Sequence, residues 1–266
     1  MEFKQYLKDN LFYYYIYYSG IFYKVNENPL FIFGNQKSGT SIIASLLAEA
    51  TGKSLTLDFR PTYHFGKEIM NISQGKMDFQ SFLLKHKKEF SKEIVKEPNL
   101  MIFYDLLKDT FHIKKSLFIV RDPRDNIRSI LNRLSLSGNR KDISSFSNLS
   151  KLWQIIVGNN EEEPTGENYI IKLSERWNRF TNIYFRNKED FILLKYEDFR
   201  DDKVYSIKSI IEQFELKYSN DISLKVDKQI QHKGDNSVSY LNFFGKENLQ
   251  IINKICEDGM KLLQYL

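Results

Sequence analysis

The sequence predicts an α/β protein of three layers, with a mostly parallel central sheet flanked by helices. Three observations carry this reading. Short apolar runs recur at Phe31–Phe33, Ser116–Val120 and Phe191–Lys195. Continuous runs of that length fit strands buried on both faces. Longer segments with apolar residues at helical spacing lie between them, and such alternation implies crossover connections between parallel strands. The chain has 266 residues, a normal size for one α/β domain.

The elements follow in order. Phe31–Phe33 comes after Pro29 and runs into a polar, glycine-containing turn, as a buried strand does. Ser41–Ala50 sets Ile42, Ile43, Leu46 and Leu47 at helical spacing, and Gly52 marks its end. Ser54–Phe59 reads as a second short strand or an extended segment, Phe79–Phe90 as a charged amphipathic helix, and Glu93–Val95 as a candidate third strand. Leu100–Leu107 reads as helical. Ser116–Val120 is a strand closed by Asp122-Pro123. Asp125–Leu134 is a helix with Ile127, Ile130, Leu131 and Leu134 on one face. Ile170–Phe185 is a helix carrying Trp177, Phe191–Lys195 is a strand, and Tyr205–Phe214 and Lys246–Leu263 are helices. The whole chain, 1–266, is read as a single domain. Residues 1–28 form an aromatic helical extension. Residues 137–166, poor in apolar anchors, form an insertion or lid.

Composition narrows the function classes. The net charge of +5 suits an anionic ligand, and no dense Lys/Arg stripe points to nucleic acid. The single cysteine, Cys256, excludes an intrachain disulfide and a cysteine-based zinc cluster, and its apolar surroundings predict core packing. No metal is expected. Aromatic residues reach 15%, which is given little functional weight. The N-terminus lacks a basic region followed by an aliphatic run, so a cytoplasmic protein is expected. Leu11–Tyr23 is apolar but shorter than the roughly 20 residues that span a bilayer. It is open to two readings, docking on the domain or peripheral contact with a membrane or partner.

Gly34–Ser41 (GNQKSGTS) lies between the first strand and the first helix. A helix N-terminus offers unpaired N–H groups and partial positive charge. Gly34 and Gly39 allow close backbone approach. Ser38, Thr40 and Ser41 supply hydroxyls and Lys37 a cation, so the segment suits a phosphate-like group. A polar turn with a solvated lysine is the alternative. The pattern departs from the nucleoside-triphosphate loop, where lysine follows the second glycine; here Lys37 precedes Gly39 by two residues.

Gln36–Ser41 resembles the 5′-phosphosulfate loop of sulfotransferases that use the donor PAPS. Phe118–Ser129 (FIVRDPRDNIRS) resembles their 3′-phosphate motif, which pairs a strand-end arginine with a serine eight residues on. Arg121 and Ser129 have that spacing. Leu194–Phe199 resembles the strand-end Y-E-D segment of the family, which makes Tyr196 a donor-site residue. Gln231–Gly234 is similar to the Arg-Lys-Gly element over the 3′-phosphate. His232 stands at the arginine position, and Lys233 and Gly234 keep theirs. The resemblance runs from Phe31 to the C-terminus, with no match in the middle segment. It implies a P-loop NTPase-like fold, PAPS as donor and PAP as product, without a metal. It implies donor contacts from Gln36, Lys37, Ser38, Gly39, Thr40, Ser41, Arg121, Ser129, Tyr196, Lys233 and Gly234.

The implied reaction moves a sulfuryl group to an acceptor hydroxyl on a carbohydrate, glycolipid or small molecule. Lys37 is the catalytic cation for the departing 5′-phosphate oxygen. Asp58 is the first choice of base, because carbohydrate- and tyrosine-directed relatives place a glutamate at a similar distance after the loop. Glu97 and His64 are the alternatives. Glu97 lies in Val95–Pro98, which resembles the segment carrying a catalytic histidine in the cytosolic small-molecule enzymes. Arg60, His64, Lys96 and Glu97 are assigned to the acceptor pocket. Two competing readings are a P-loop kinase-like enzyme and an inert PAP-binding scaffold.

Overall fold

The computed structural model describes residues 2–59, 62–139, 149–157, 168–226 and 238–266. The apolar runs form five strands: β1 Leu30–Gly34, β2 Leu55–Thr56, β3 Ile94–Lys96, β4 Ser116–Val120 and β5 Phe191–Lys195. They make one sheet in the order β2-β3-β1-β4-β5, and every neighbouring pair is parallel. The helices are α1 Glu2–Gly20, α2 Thr40–Thr51, α3 Thr62–Ser73, α4 Phe79–Lys85, α5 Lys87–Phe90, α6 Tyr104–Thr110 and α7 Pro123–Leu134. They continue with α8 Lys151–Val157, α9 Tyr169–Arg186, α10 Tyr196–Asp201, α11 Lys203–Gln213, α12 Tyr240–Ile255 and α13 Glu257–Leu262.

The strands alternate between two cores, as the period of two requires. Phe31, Phe33, Val95, Phe118, Val120 and Phe191 face one, closed by α3, α4, α6, α7, α9 and α12. Ile32, Ile94, Leu117, Ile119, Ile192 and Leu194 face the other, closed by α2 and α11. The abundant aromatics concentrate on the first face. Phe31 and Phe33 stack at 5.6 Å, and Phe118 stacks on Tyr184 at 5.1 Å. Most of the phenylalanines are therefore core material, whereas tyrosines of α1 stay exposed. Cys256 is fully buried on this side, where burial pushes its thiol up to about 12, in keeping with a packing role.

Several element bounds differ from the sequence reading, each for a local reason. The second strand is only Leu55–Thr56, paired with Ile94 and Val95, and the Thr56 hydroxyl donates to the Glu89 carbonyl. The helix read over Phe79–Phe90 breaks at His86, whose ring is drawn 2.7 Å from Glu68 Oε2. The helix read over Leu100–Leu107 divides into a 3-10 turn, Pro98–Phe103, and α6, because the Glu97 side chain caps the turn at Asn99 N. The last helix read begins early, at Tyr240, is kinked at Gly245 and breaks at Cys256. Helices α3, α8 and α10 are additions. Of the segment read as an insertion, 140–148 and 158–166 lie outside the described residues, while α8 packs on α3.

Gly34 ends β1 in close contact with β4. Its φ is +147°, and a Cβ there would lie 2.3 Å from the Ile119 carbonyl oxygen. Neither strand can retreat without breaking the register that pairs Gly34 with Ile119. Gly34→Ala is therefore expected to cost about 1–3 kcal/mol of stability, read as a lower urea midpoint at constant slope. An unchanged midpoint would contradict this packing.

Candidate active site

The topology gathers the sequence motifs at one edge of the sheet. In an open parallel sheet, ligands bind beyond the carboxyl ends of the strands, where the connections diverge to opposite sides. Here β1 connects through α2 towards β2, whereas β4 lies on the other side of β1. Gly34 pairs with Ile119, so the turn after β1 and the residues after β4 emerge side by side. Val120 pairs with Lys195, which brings Arg121 and Tyr196 together at the ends of β4 and β5.

The turn after β1 is a shaped loop. Lys37 and Gly39 both take left-handed backbone conformations, with φ of 68° and 82°. A lysine held there is unusual, and such strain persists only where the surroundings fix it. Asn126 of α7 donates to the Gln36 carbonyl at 2.8 Å and to Ser38 Oγ at 3.0 Å. Arg121 donates through Nη1 to the Lys37 carbonyl at 3.1 Å. With its carbonyls drawn to one side, the loop runs into α2, whose first-turn N–H groups have no intrahelical acceptors. Ser38 and Thr40 are buried, and Ser41 is half-buried. Burial, followed by the charges of Arg133 and Arg121, holds the Lys37 amine below the usual lysine range.

Arg121 is set for an anion. Its motif contains two aspartates, but Asp122 pairs with Arg124 at 2.5 Å and Asp125 pairs with Arg128. Arg121 keeps only a loose contact of 3.9 Å to Asp125. Its guanidinium lies 4.8 Å from the Tyr196 ring centroid, and its Nε is buried without a hydrogen-bond partner among the described residues. Trp177 fixes the backbone here by donating to the Arg121 carbonyl at 2.9 Å. The Tyr196 ring in turn covers Gly39, where a Cβ would stand 2.3 Å from the ring. Ser129 lies on α7, partly exposed. An orphaned guanidinium nitrogen beside a loop with unpaired N–H groups fits a ligand carrying two phosphate-like groups.

The ends of β2 and β3 form a second cluster. Lys96 Nζ pairs with Asp58 Oδ1 at 2.6 Å, the lysine buried and the Asp58 side chain 42% exposed. Glu97 accepts hydrogen bonds from Phe59 N, Asn99 N and Asn99 Nδ2. Burial, then the Asp58 charge, raises its carboxyl above the usual range. Asn99 Oδ1 receives Gln36 Nε2 at 3.1 Å and Arg176 Nη2 at 2.9 Å. A buried chain of contacts thus links the end of β3 to the phosphate-type loop. His64 bonds Asn10 of α1 at 2.8 Å and stacks on Tyr13 at 4.2 Å.

Lys96 and Glu97 lie inside the protein, held by Asp58 and by three N–H donors, and the half-buried His64 bonds Asn10 of α1. Arg60, Lys233 and Gly234 fall outside the described residues. Asn126, Asn99, Arg176 and Trp177 were missed as site residues. Asn126 sat inside the quoted motif, one turn after Arg121. The other three act through partners distant in sequence, and no local pattern marks them.

Residues 27–254 match the family described as Sulfotransferase domain. Among solved structures, the chain is similar to the sulfotransferase domain from the curacin biosynthetic pathway, at 13% identity and a TM-score of 0.51, over 91% of this chain and 99% of that one. It is similar to sulfotransferase STF1 from Mycobacterium tuberculosis H37Rv at 12% identity and a TM-score of 0.52, over 91% of this chain and 79% of that one. No curated protein matches the sequence. At such identities the solved structures speak for the fold, a parallel α/β sheet with helices on both faces. The family match spans both the turn after β1 and the segment after β4, and the chain belongs to the sulfotransferase domain family.

Proposed function

We propose that this protein transfers a sulfuryl group from PAPS to a hydroxyl of a carbohydrate, glycolipid or small-molecule acceptor. One observation carries the reading. Arg121, from the end of β4, donates to the carbonyl of Lys37 in the turn after β1. Two anion-binding segments, far apart in sequence, thereby become one site with two positive centres. A donor with a 5′-phosphosulfate and a 3′-phosphate has the matching charge pattern, with the 5′ end at Lys37 and the 3′ end at Arg121.

The chemistry assigned to the residues is as follows. The sulfur–oxygen bond to the 5′-phosphate breaks as a new one forms to the acceptor oxygen, in line, so positioning and charge stabilisation dominate. Lys37 and the first-turn N–H groups of α2 take the charge that grows on the departing phosphate oxygen. The acceptor proton passes to Asp58, whose half-exposed carboxylate is held by Lys96 at the same sheet edge. Asp58→Asn keeps the shape and removes the base. It is expected to lower turnover by about 10²–10⁴-fold while leaving PAP binding within a few-fold of wild type. Undiminished turnover would remove Asp58 from the mechanism.

The donor assignment is tested by thermal unfolding with PAP, ADP or ATP. A ligand that binds only the native state stabilises it by about 2.7 kcal/mol at a hundred times its Kd. PAP is expected to raise the transition more than either alternative. A response to ATP with none to PAP would overturn the proposal.

A further inference from the structure

Helix α1 exposes a stripe of large apolar side chains. Leu11, Tyr14, Tyr15 and Tyr18, followed by Ile21 and Phe22 just past the helix end, recur at the spacing of one helical face. All are exposed, Phe22 to 90%, Leu11 to 73% and Ile21 to 65%. Towards the protein, Asn10 and Tyr13 bond His64 and Glu68, and Gly20 is buried.

Lysines frame the stripe. Lys88 Nζ lies 5.2 Å from the Tyr15 ring centroid and 5.9 Å from that of Tyr23, and Lys92 Nζ lies 5.8 Å from Tyr23. Lys8 and Lys24 are exposed at either end. Residues 10–26 contain no acidic side chain. Of the nearby acids, Glu89 is buried, Glu93 is paired with Lys53, and Asp9 and the exposed Glu27 bound the stretch in sequence.

We propose that this face docks on the surface of an anionic lipid bilayer. Tyrosine and phenylalanine rings suit the boundary between headgroups and acyl chains, where one end of a side chain is apolar and the other wet. Lysine stems lie along apolar surface while their ammonium groups reach lipid phosphates. No helix among the described residues is long and apolar enough to cross a membrane, so the contact is peripheral. Charge argues against a second copy as the occupant. A twofold contact through the same patch sets like against like, so Lys88 and Lys92 of two chains would oppose each other across the apolar stripe. The inference is independent of the reaction assigned above.

The test is co-sedimentation of the full chain with vesicles. One set is phosphatidylcholine alone, and the other contains about one-third phosphatidylglycerol, near the range in which anionic surface charge attracts basic patches. The wild-type chain is expected to bind the anionic vesicles and to be released by salt. The pair Ile21→Ser with Phe22→Ser, and separately Lys88→Glu with Lys92→Glu, should each weaken binding by about tenfold or more. Unchanged unfolding temperatures would show that both variants remain folded. Equal binding to the two vesicle types, variants that bind like wild type, or no binding at all would overturn the proposal. So would a wild-type dimer in sedimentation velocity that the Ile21→Ser, Phe22→Ser pair converts to monomer.

Discussion

Lys37→Ala is expected to lower turnover by about two orders of magnitude or more, the loss typical of removing one preorganised charge donor. PAP binding should weaken far less. The loop has backbone anchors of its own. Its backbone is held by Arg121 on the Lys37 carbonyl and by Asn126 on the Gln36 carbonyl and the Ser38 hydroxyl. Alanine meets the same left-handed backbone conformation that lysine already tolerates at φ 68°. The effect therefore belongs to the charge, which matters most when the leaving oxygen becomes anionic. A pH profile gives a second readout. The amine is held below the usual lysine range by burial and by Arg133 and Arg121. It is charged below its pKa and neutral above it. Activity that needs the cation must fall as pH rises through the depressed value, at lower pH than for a free lysine. Lys37→Arg keeps a permanent charge, so in that variant the alkaline limb should disappear, whatever activity remains. Full activity in Lys37→Ala would refute the assignment.

The parts of this protein that were legible from sequence are those in which local pattern and tertiary role coincide. A strand buried on both faces must be continuously apolar, so β4 and β5 were read to the residue. The helix after the loop was read within one residue at each end, because Gly52 stops it. Legibility failed where a distant partner decides the outcome. His86 breaks a helical pattern because Glu68 lies across from it, and nothing near His86 in sequence announces that. Lys96 and Asp58 look like two surface charges until β2 and β3 lie side by side. Glu97 meets Phe59 N across the β2–β3 edge and binds Asn99 as well, contacts that its local sequence does not announce. The segments assigned to the donor are contiguous motifs, which a sequence displays directly. Asp58, Lys96 and Glu97, assigned to the acceptor side, come from the ends of β2 and β3, separated by α3, α4 and α5.

Gly39→Ala is expected to reduce PAP affinity by about tenfold or more, although it adds one methyl group. Two costs combine. The native φ of 82° is a left-handed conformation, which costs a residue with a Cβ about 1–2 kcal/mol. The methyl would also stand 2.3 Å and 2.5 Å from two ring carbons of Tyr196. The ring is poorly placed to yield, because it stacks on Arg121, and Arg121 in turn holds the Lys37 carbonyl. Displacing it loosens the arginine and the loop together, so both ends of the donor site suffer from one contact. The two costs can be separated. Adding Tyr196→Ala to Gly39→Ala removes the clash and leaves the backbone cost. The double variant should then bind PAP better than the sum of the single losses predicts, a coupling of the kind neighbours in contact show. Strict additivity would mean that Tyr196 does not press on Gly39 when the donor is bound. The bond from Arg121 to the Lys37 carbonyl, on which the single two-phosphate site rests, would be untouched by that outcome.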